Sequence, residues 1–204
     1  MPKYAGVEPD TVLPMGYREE TGATVTTTSY SEASDYLCGD PTPVIYGGFG
    51  TSVSFYGVDI SAQFSYSVGG LVYDSGYAAV MRPPGTSTGS NIHKDMLGAW
   101  PPANHDSSVP RFQYLDENIS AQSDRFLTDG SYLNFQSAQI GYTFPQKMVD
   151  KLKLSRLRLY LLCDNIFYIS ARRGLDPRYS FNGTTNYAVN SPVRTLSGGI
   201  NITF

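Results

Sequence analysis

The chain has 204 residues, 16% of them charged, a net charge of −3 and a pI near 5.3. An acidic chain this poor in Lys and Arg does not suit nucleic acid as a partner. Tyr and Phe supply 16 and 10 residues and Gly and Pro 20 and 13, a composition for strands and turns rather than helices.

Met1-Pro2-Lys3-Tyr4 opens no apolar run, so no signal peptide is expected at this end. No stretch approaches the roughly 18 apolar residues that a membrane-crossing helix needs. Residues 1–44 are polar, show no clear period and read as a loop segment. Cys38 within it and Cys163 far downstream share no motif, and read as unrelated thiols rather than a disulfide.

Residues 45–56 (IYGGFGTSVSFY) alternate. Ile45, Phe49, Thr51, Val53 and Phe55 share one face; Tyr46, Gly48, Gly50, Ser52 and Ser54 share the other. Gly57 permits a tight turn, and the alternation restarts over 58–70. Val58, Ile60, Ala62, Phe64, Tyr66 and Val68 face one way, and Asp59, Ser61, Gln63, Ser65 and Ser67 the other. This is the strongest hairpin in the sequence. Its polar face is small, rich in hydroxyls and uncharged except at Asp59. A sandwich strand of this length would show water more Lys and Glu, whereas a barrel lumen accepts Ser, Gln and Gly.

Residues 71–131 are read as a long connection. The glycines of GGFG at Gly47 do not form a phosphate loop, because a strand rather than a helix follows them. His93 and His105 sit in the Pro-rich connection at no metal-ligand spacing, and read as packing or solvated residues. No nucleophile elbow and no CxxC pair occurs, so neither an enzyme nor a cofactor is expected.

A third strand covers 132–144, with Leu133 and Phe135 on one parity and Ala138, Ile140, Tyr142 and Phe144 on the other. A bulge near Gln136–Ser137 reconciles them. Residues 145–155 open with Pro145 and suit one helical turn. A fourth strand over 157–169 keeps Leu157, Leu159, Leu161, Cys163, Phe167 and Ile169 in phase, and a second long connection spans 170–192. The last strand, 193–204, ends in LSGGINITF, with Leu196, Ile200, Ile202 and Phe204 in one register. These closing residues alone fit a sandwich strand as well as a barrel strand.

The expected fold is therefore all-β, an antiparallel meander of about five transmembrane strands with two open edges, at Tyr46 and Asn201. Short turns on one side and long connections on the other match the periplasmic and extracellular ends of an outer-membrane barrel. Five strands cannot close a barrel, since the smallest need about eight, so the meander reads as part of a larger one. The competing architecture is a soluble β-sandwich, such as a carbohydrate-binding module.

Several segments together resemble the SusC/RagA-type TonB-linked outer-membrane proteins. They are YAGVEPDT at Tyr4, YGGFGTSVSFYGVDISAQFSYSVGG at Tyr46, HKDMLGAWPPAN at His93, SDRFLTDGSYLNFQSAQIGYTFP at Ser123, LRLYLLCDNIF at Leu157, RRGLDPR at Arg172 and the closing GGINITF. The resemblance implies the C-terminal part of a barrel of the 22-stranded type, with 1–44, 71–131 and 170–192 on the extracellular side. It implies import of oligosaccharides or peptides, a SusD-like lipoprotein lid, and energy from the TonB complex through an N-terminal plug. Plug and TonB box have no counterpart in these residues, so transport by this polypeptide alone is not expected. It also implies localisation in the outer membrane of a Gram-negative bacterium. In such barrels a terminal aromatic with apolar residues two and four positions earlier resembles an assembly signal, here Phe204, Ile202 and Ile200. The sequons at Asn118, Asn182 and Asn201 then carry no meaning.

Candidate ligand or partner contacts lie in the long connections: Trp100, Tyr114, Tyr179, Phe181 and Tyr187, with Arg172, Arg173 and Arg178. Aromatic faces stack on sugar rings and guanidinium forks hold carboxylates. The same residues would equally serve to pack the loops on themselves or on a lid.

Overall fold

A computed structural model describes residues 1–83, 91–99, 107–114, 116, 118–179, 183 and 192–204. The chain divides into two compact units. One unit comprises Met1–Pro41, Leu71–Asp129 and Tyr179–Val189; the other comprises Thr42–Gly70, Gly130–Arg178 and Asn190–Phe204.

The first unit corrects the view of 1–44 and 71–131 as plain loops. Strands β1 (Tyr4–Val7), β2 (Pro14–Glu20) and β3 (Ala23–Thr27) form a three-stranded antiparallel sheet. The other elements described below follow in chain order: β4 (Ile45–Phe55), β5 (Val58–Val68), β6 (Leu71–Tyr73), helix α1 (Ser75–Val80) and β7 (Leu127–Asp129). β6 and β7 pair as a two-stranded ribbon of this first unit. Asp74 caps α1, its side chain accepting from the Tyr77 N–H at 2.8 Å.

Tyr73, Ala78, Met81, Met96, Ile119 and Phe126 make the buried core of this unit. Phe126 meets the rings of Tyr73 and Tyr77 edge-on at 6.2 and 6.0 Å. Burial, and after it the hydrogen bond donated to Asp95, push the Tyr77 phenol up to about 12.

The second unit is one five-stranded antiparallel sheet. It is completed by β8 (Tyr132–Thr143), α2 (Gln146–Val149), β9 (Arg156–Ser170) and β10 (Thr195–Thr203). The spatial order β4-β5-β8-β9-β10 follows the chain, with β4 and β10 at the edges. Strands of this length suffice to cross a bilayer when tilted. No helix among the described residues is long and apolar enough to cross a membrane.

Tyr56 and Gly57 form the β4–β5 turn with φ of 47° and 85°, both in the left-handed region that a two-residue primed turn demands. A Cβ on Gly57 would lie 2.6 Å from the Thr143 carbonyl oxygen, which belongs to backbone and cannot swing away. Gly57→Val should therefore destabilise the hairpin by about 2 kcal/mol, read as a lower midpoint in urea unfolding from detergent or lipid. A variant with an unchanged midpoint would show that the turn tolerates a side chain.

β8 carries the bulge that its mixed parity requires: Phe135 pairs with Phe167 and Ser137 with Asp164, leaving Gln136 unpaired. Asn165, at φ 51°, absorbs the matching irregularity in β9. The connection after Pro145 is the short α2 followed by a 3-10 turn, Asp150–Leu152.

Registers gather most of the large apolar groups on one face, with Leu162, paired with Gln139 and Ser197, on the other. Phe55, Val58, Tyr142 and Leu159 lie side by side, as do Val53, Ile60, Ile140 and Leu161. Phe49, Phe64, Phe135 and Phe167 form an aromatic row, with successive centroids 4.9, 4.4 and 5.6 Å apart. Ile200 and Ile202 continue the face opposite Leu159 and Leu157. On this face Val53 remains 62% and Ile140 49% exposed. Asn134 and Ser67, on the opposite face, are only 5% exposed. This sheet is apolar outside and polar inside, which removes the sandwich alternative.

Candidate functional site

The polar face of the sheet is the surface that a solute inside a barrel would meet. Its residues follow from parity: Ser52 and Ser54 on β4, Asp59 to Ser67 on β5, Tyr132, Asn134, Ser137, Gln139 and Gly141 on β8, Arg158 to Asp164 on β9, and Ser197 to Thr203 on β10. Hydroxyls and amides dominate, and apart from Asp164 beside Ser137 the charge described below falls into two clusters.

The first cluster lies near the short-turn end. Arg158 on β9 reaches over β8 to Asp59 on β5, donating from Nε at 3.1 Å and from Nη2 as well. Gly141 lies beneath the pair; a Cβ there would come within 2.7 Å of both partners. The missing side chain is what lets strands two apart exchange an ion pair. Arg158 also stands 5.4 Å over the Tyr160 ring.

The second cluster lies near the end of the long connections. Arg178 grips Asp176 with both arms of its guanidinium, at 2.8 and 2.6 Å. Its Nη1 donates to Asn134 Oδ1 at 2.9 Å, and Asn134 Nδ2 donates in turn to Ser65 Oγ at 3.3 Å. The guanidinium stands 4.7 Å over the Tyr168 ring. An open concavity beside it is lined by Asn134, Asn165, Tyr168, Arg178 and Arg194. Arg194 donates to the Ile166 carbonyl.

Of the expected contact residues, the structure brings Arg172, Arg173 and Arg178 into one segment at the end of β9. Arg172 is half-buried, and burial lowers its guanidinium below the ordinary arginine value. Arg173 is exposed. Tyr114 is 61% exposed and belongs to the other unit. Tyr179 closes a 3-10 turn, Pro177–Tyr179; its side chain lies outside the described residues, as do Trp100, Phe181, Tyr187 and His105. His93 caps a 3-10 turn, its Nδ1 accepting from the Asp95 N–H at 3.2 Å, and meets Tyr77 edge-on. Ile200 and Ile202 sit on the edge strand β10, and Phe204 just beyond it is 89% exposed.

Asn134, Tyr168, Asp176, Asp59 and Arg158 do not announce themselves in the sequence as site residues. The one signal is parity: Asp59 is a lone charge on a small polar face, and Arg158 shares the polar register of β9.

No family model matches the chain. It is 29% identical over 184 residues to TonB-dependent receptor P3 of Formosa agariphila, covering 85% of the chain and 18% of that protein. It is 25% identical over 211 residues to TonB-dependent receptor P26 of the same organism, covering 97% of the chain and 20% of the relative. Over its whole length it superposes on the RagAB peptide importer in the open-open state with a TM-score of 0.80 at 24% identity, covering 22% of that chain. For the closed-closed state the TM-score is 0.75 at 25% identity, again over all of this chain and 22% of the other.

The chain is related to the TonB-dependent receptors of the SusC/RagA type. It spans about a fifth of the length of the curated receptors it matches. As in those barrels, the apolar face is the one for lipid and the polar face the one for the lumen. The receptor-type barrel places the sheet in the outer membrane of a Gram-negative bacterium.

Proposed function

We propose that these residues build part of the wall of a TonB-dependent importer that takes up oligosaccharides or peptides. The observation that carries this reading is the inside-out sheet: an exposed apolar face and a wall of hydroxyl, amide and paired charged groups. Such a wall offers exchangeable hydrogen bonds to a hydrated polar solute and no strong single-sign field to hold it. In this reading a SusD-like lipoprotein covers the extracellular mouth, and the TonB complex supplies energy through a plug. The chain itself carries no catalysis and needs no cofactor.

The test is uptake of labelled oligosaccharide and peptide pools by cells with and without the gene. Loss of uptake for one pool, repeated when TonB is removed, is the expected result. Unchanged uptake of both pools would overturn the reading. Co-purification of a surface lipoprotein with the tagged protein checks the lid.

Phe204 has a role in assembly under the same reading. An aromatic at the interface fixes the depth of an unpaired edge strand before closure. Deleting Phe204 should lower the assembled barrel severalfold without changing synthesis, with Phe204→Tyr close to wild type and Phe204→Ala between them. Equal surface protease accessibility in all three would show that the terminal residue carries no signal.

A further inference from the structure

The segment that follows β9 runs inward. Ser170 Oγ lies 3.0 and 2.8 Å from the carbonyl oxygens of Arg172 and Leu175. The Leu175 N–H closes a turn on the Arg172 carbonyl at 3.1 Å, and Gly174 supplies the left-handed conformation there at φ 93°. Leu175 is 2% exposed, and the Asp176 and Arg178 side chains are 10% and 11% exposed. Two sheet residues that Arg178 meets have luminal parity: Asn134 on β8 and Tyr168 on β9 form one cross-strand pair, and Ser65 on β5 backs Asn134.

We propose that residues 171–178 are a strap folded into the lumen and latched to the wall by Arg178. The segment is then part of the pore lining and narrows the lumen beside β8 and β9. Three contacts among the described residues make the latch. Asp176 fixes the guanidinium within the strap, Asn134 ties it to the wall, and Tyr168 provides the surface on which it lies. Asn134 is itself held by Ser65, so the contact spreads over three strands and does not depend on one flexible rotamer. The strap belongs to the wall whichever solute the barrel carries.

Trypsin added to intact cells tests it, with cleavage after Arg172 and Arg173 followed by mass spectrometry and normalised to heat-modifiable, assembled barrel. A latched strap is cut only when it opens locally. Losing a charged, largely buried hydrogen-bonding group should raise that opening about tenfold or more. Wild type should therefore be cut slowly, Arg178→Ala about tenfold faster, and Arg178→Lys at an intermediate rate, since an ammonium keeps the charge but not the fork. Gly57→Val, which loosens the far end of the sheet, should leave this rate at the wild-type value. Should Arg178→Ala fail to assemble, Asn134→Ser carries the test with the same expectation. Wild type cut as fast as the latch variants, or Gly57→Val accelerating cleavage as much as they do, would overturn the proposal.

Discussion

Ile140→Arg is expected to destabilise the barrel by about 2–4 kcal/mol, while Ser137→Arg, three residues away, is expected to cost little. Ile140 sits on the central strand β8 between Ile60 and Leu161, on the face that meets lipid. A guanidinium there would have to leave water for hydrocarbon, and it sits two strands away from either edge strand, β4 or β10. Ser137 lies on the luminal face beside Asp164, where water persists and the carboxylate offers a partner. The measurement is the urea midpoint of the barrel refolded into vesicles, with heat-modifiable migration as the check of assembly. Equal loss in both variants would mean that the two faces do not differ in environment.

Phe64→Ala should be the next most damaging. Phe64 stacks on Phe49 at 4.9 Å and on Phe135 at 4.4 Å, each pair within 10° of parallel. Two aromatic contacts at about 0.5–1.5 kcal/mol each predict a loss of about 1–3 kcal/mol beyond the cavity in the acyl layer. Phe55→Ala, at the edge strand and away from the row, should cost clearly less. The same unfolding experiment checks both. A double-mutant cycle between Phe64 and Phe135 isolates the pair, and a coupling energy near zero would show that the rings merely lie close.

The strands of the second unit are legible in the sequence because one physical demand, apolar toward lipid and small or polar toward the lumen, writes itself with a period of two. The Gly57 turn is legible for a similar reason, since a primed turn needs a residue at positive φ. Even the Gln136 bulge can be read, because Leu133 and Phe135 change parity against Ala138 and Ile140. The first unit resists this approach. β2 reads PMGYREE, with no alternation, and β6 and β7 are three residues each, too short for any period to show. Their stability comes from a core assembled from residues as far apart as Tyr73 and Phe126.

The luminal clusters are hidden for another reason. Asp59 and Arg158 lie 99 positions apart, and their meeting depends on the register of three strands and on an absent side chain at Gly141. Arg178 stands out as a basic residue in a loop, but its inward turn rests on Gly174, Leu175 and the Ser170 hydroxyl, each unremarkable alone. Composition picks out the side chains able to bind; register decides which of them are already engaged.

Collision accessibility along β5 separates lipid-facing from luminal residues one position at a time. Nitroxide labels would be placed singly at residues 58–68 of the membrane-inserted protein, with Cys38 and Cys163 replaced. Molecular oxygen concentrates in the acyl layer and a neutral nickel chelate in water. The expected result is a two-residue period with oxygen maxima at Val58, Ile60, Ala62, Phe64 and Tyr66, and chelate maxima at Asp59, Ser61, Gln63, Ser65 and Ser67. The same period in opposite phase, or no period at all, would mean that the apolar face does not meet lipid.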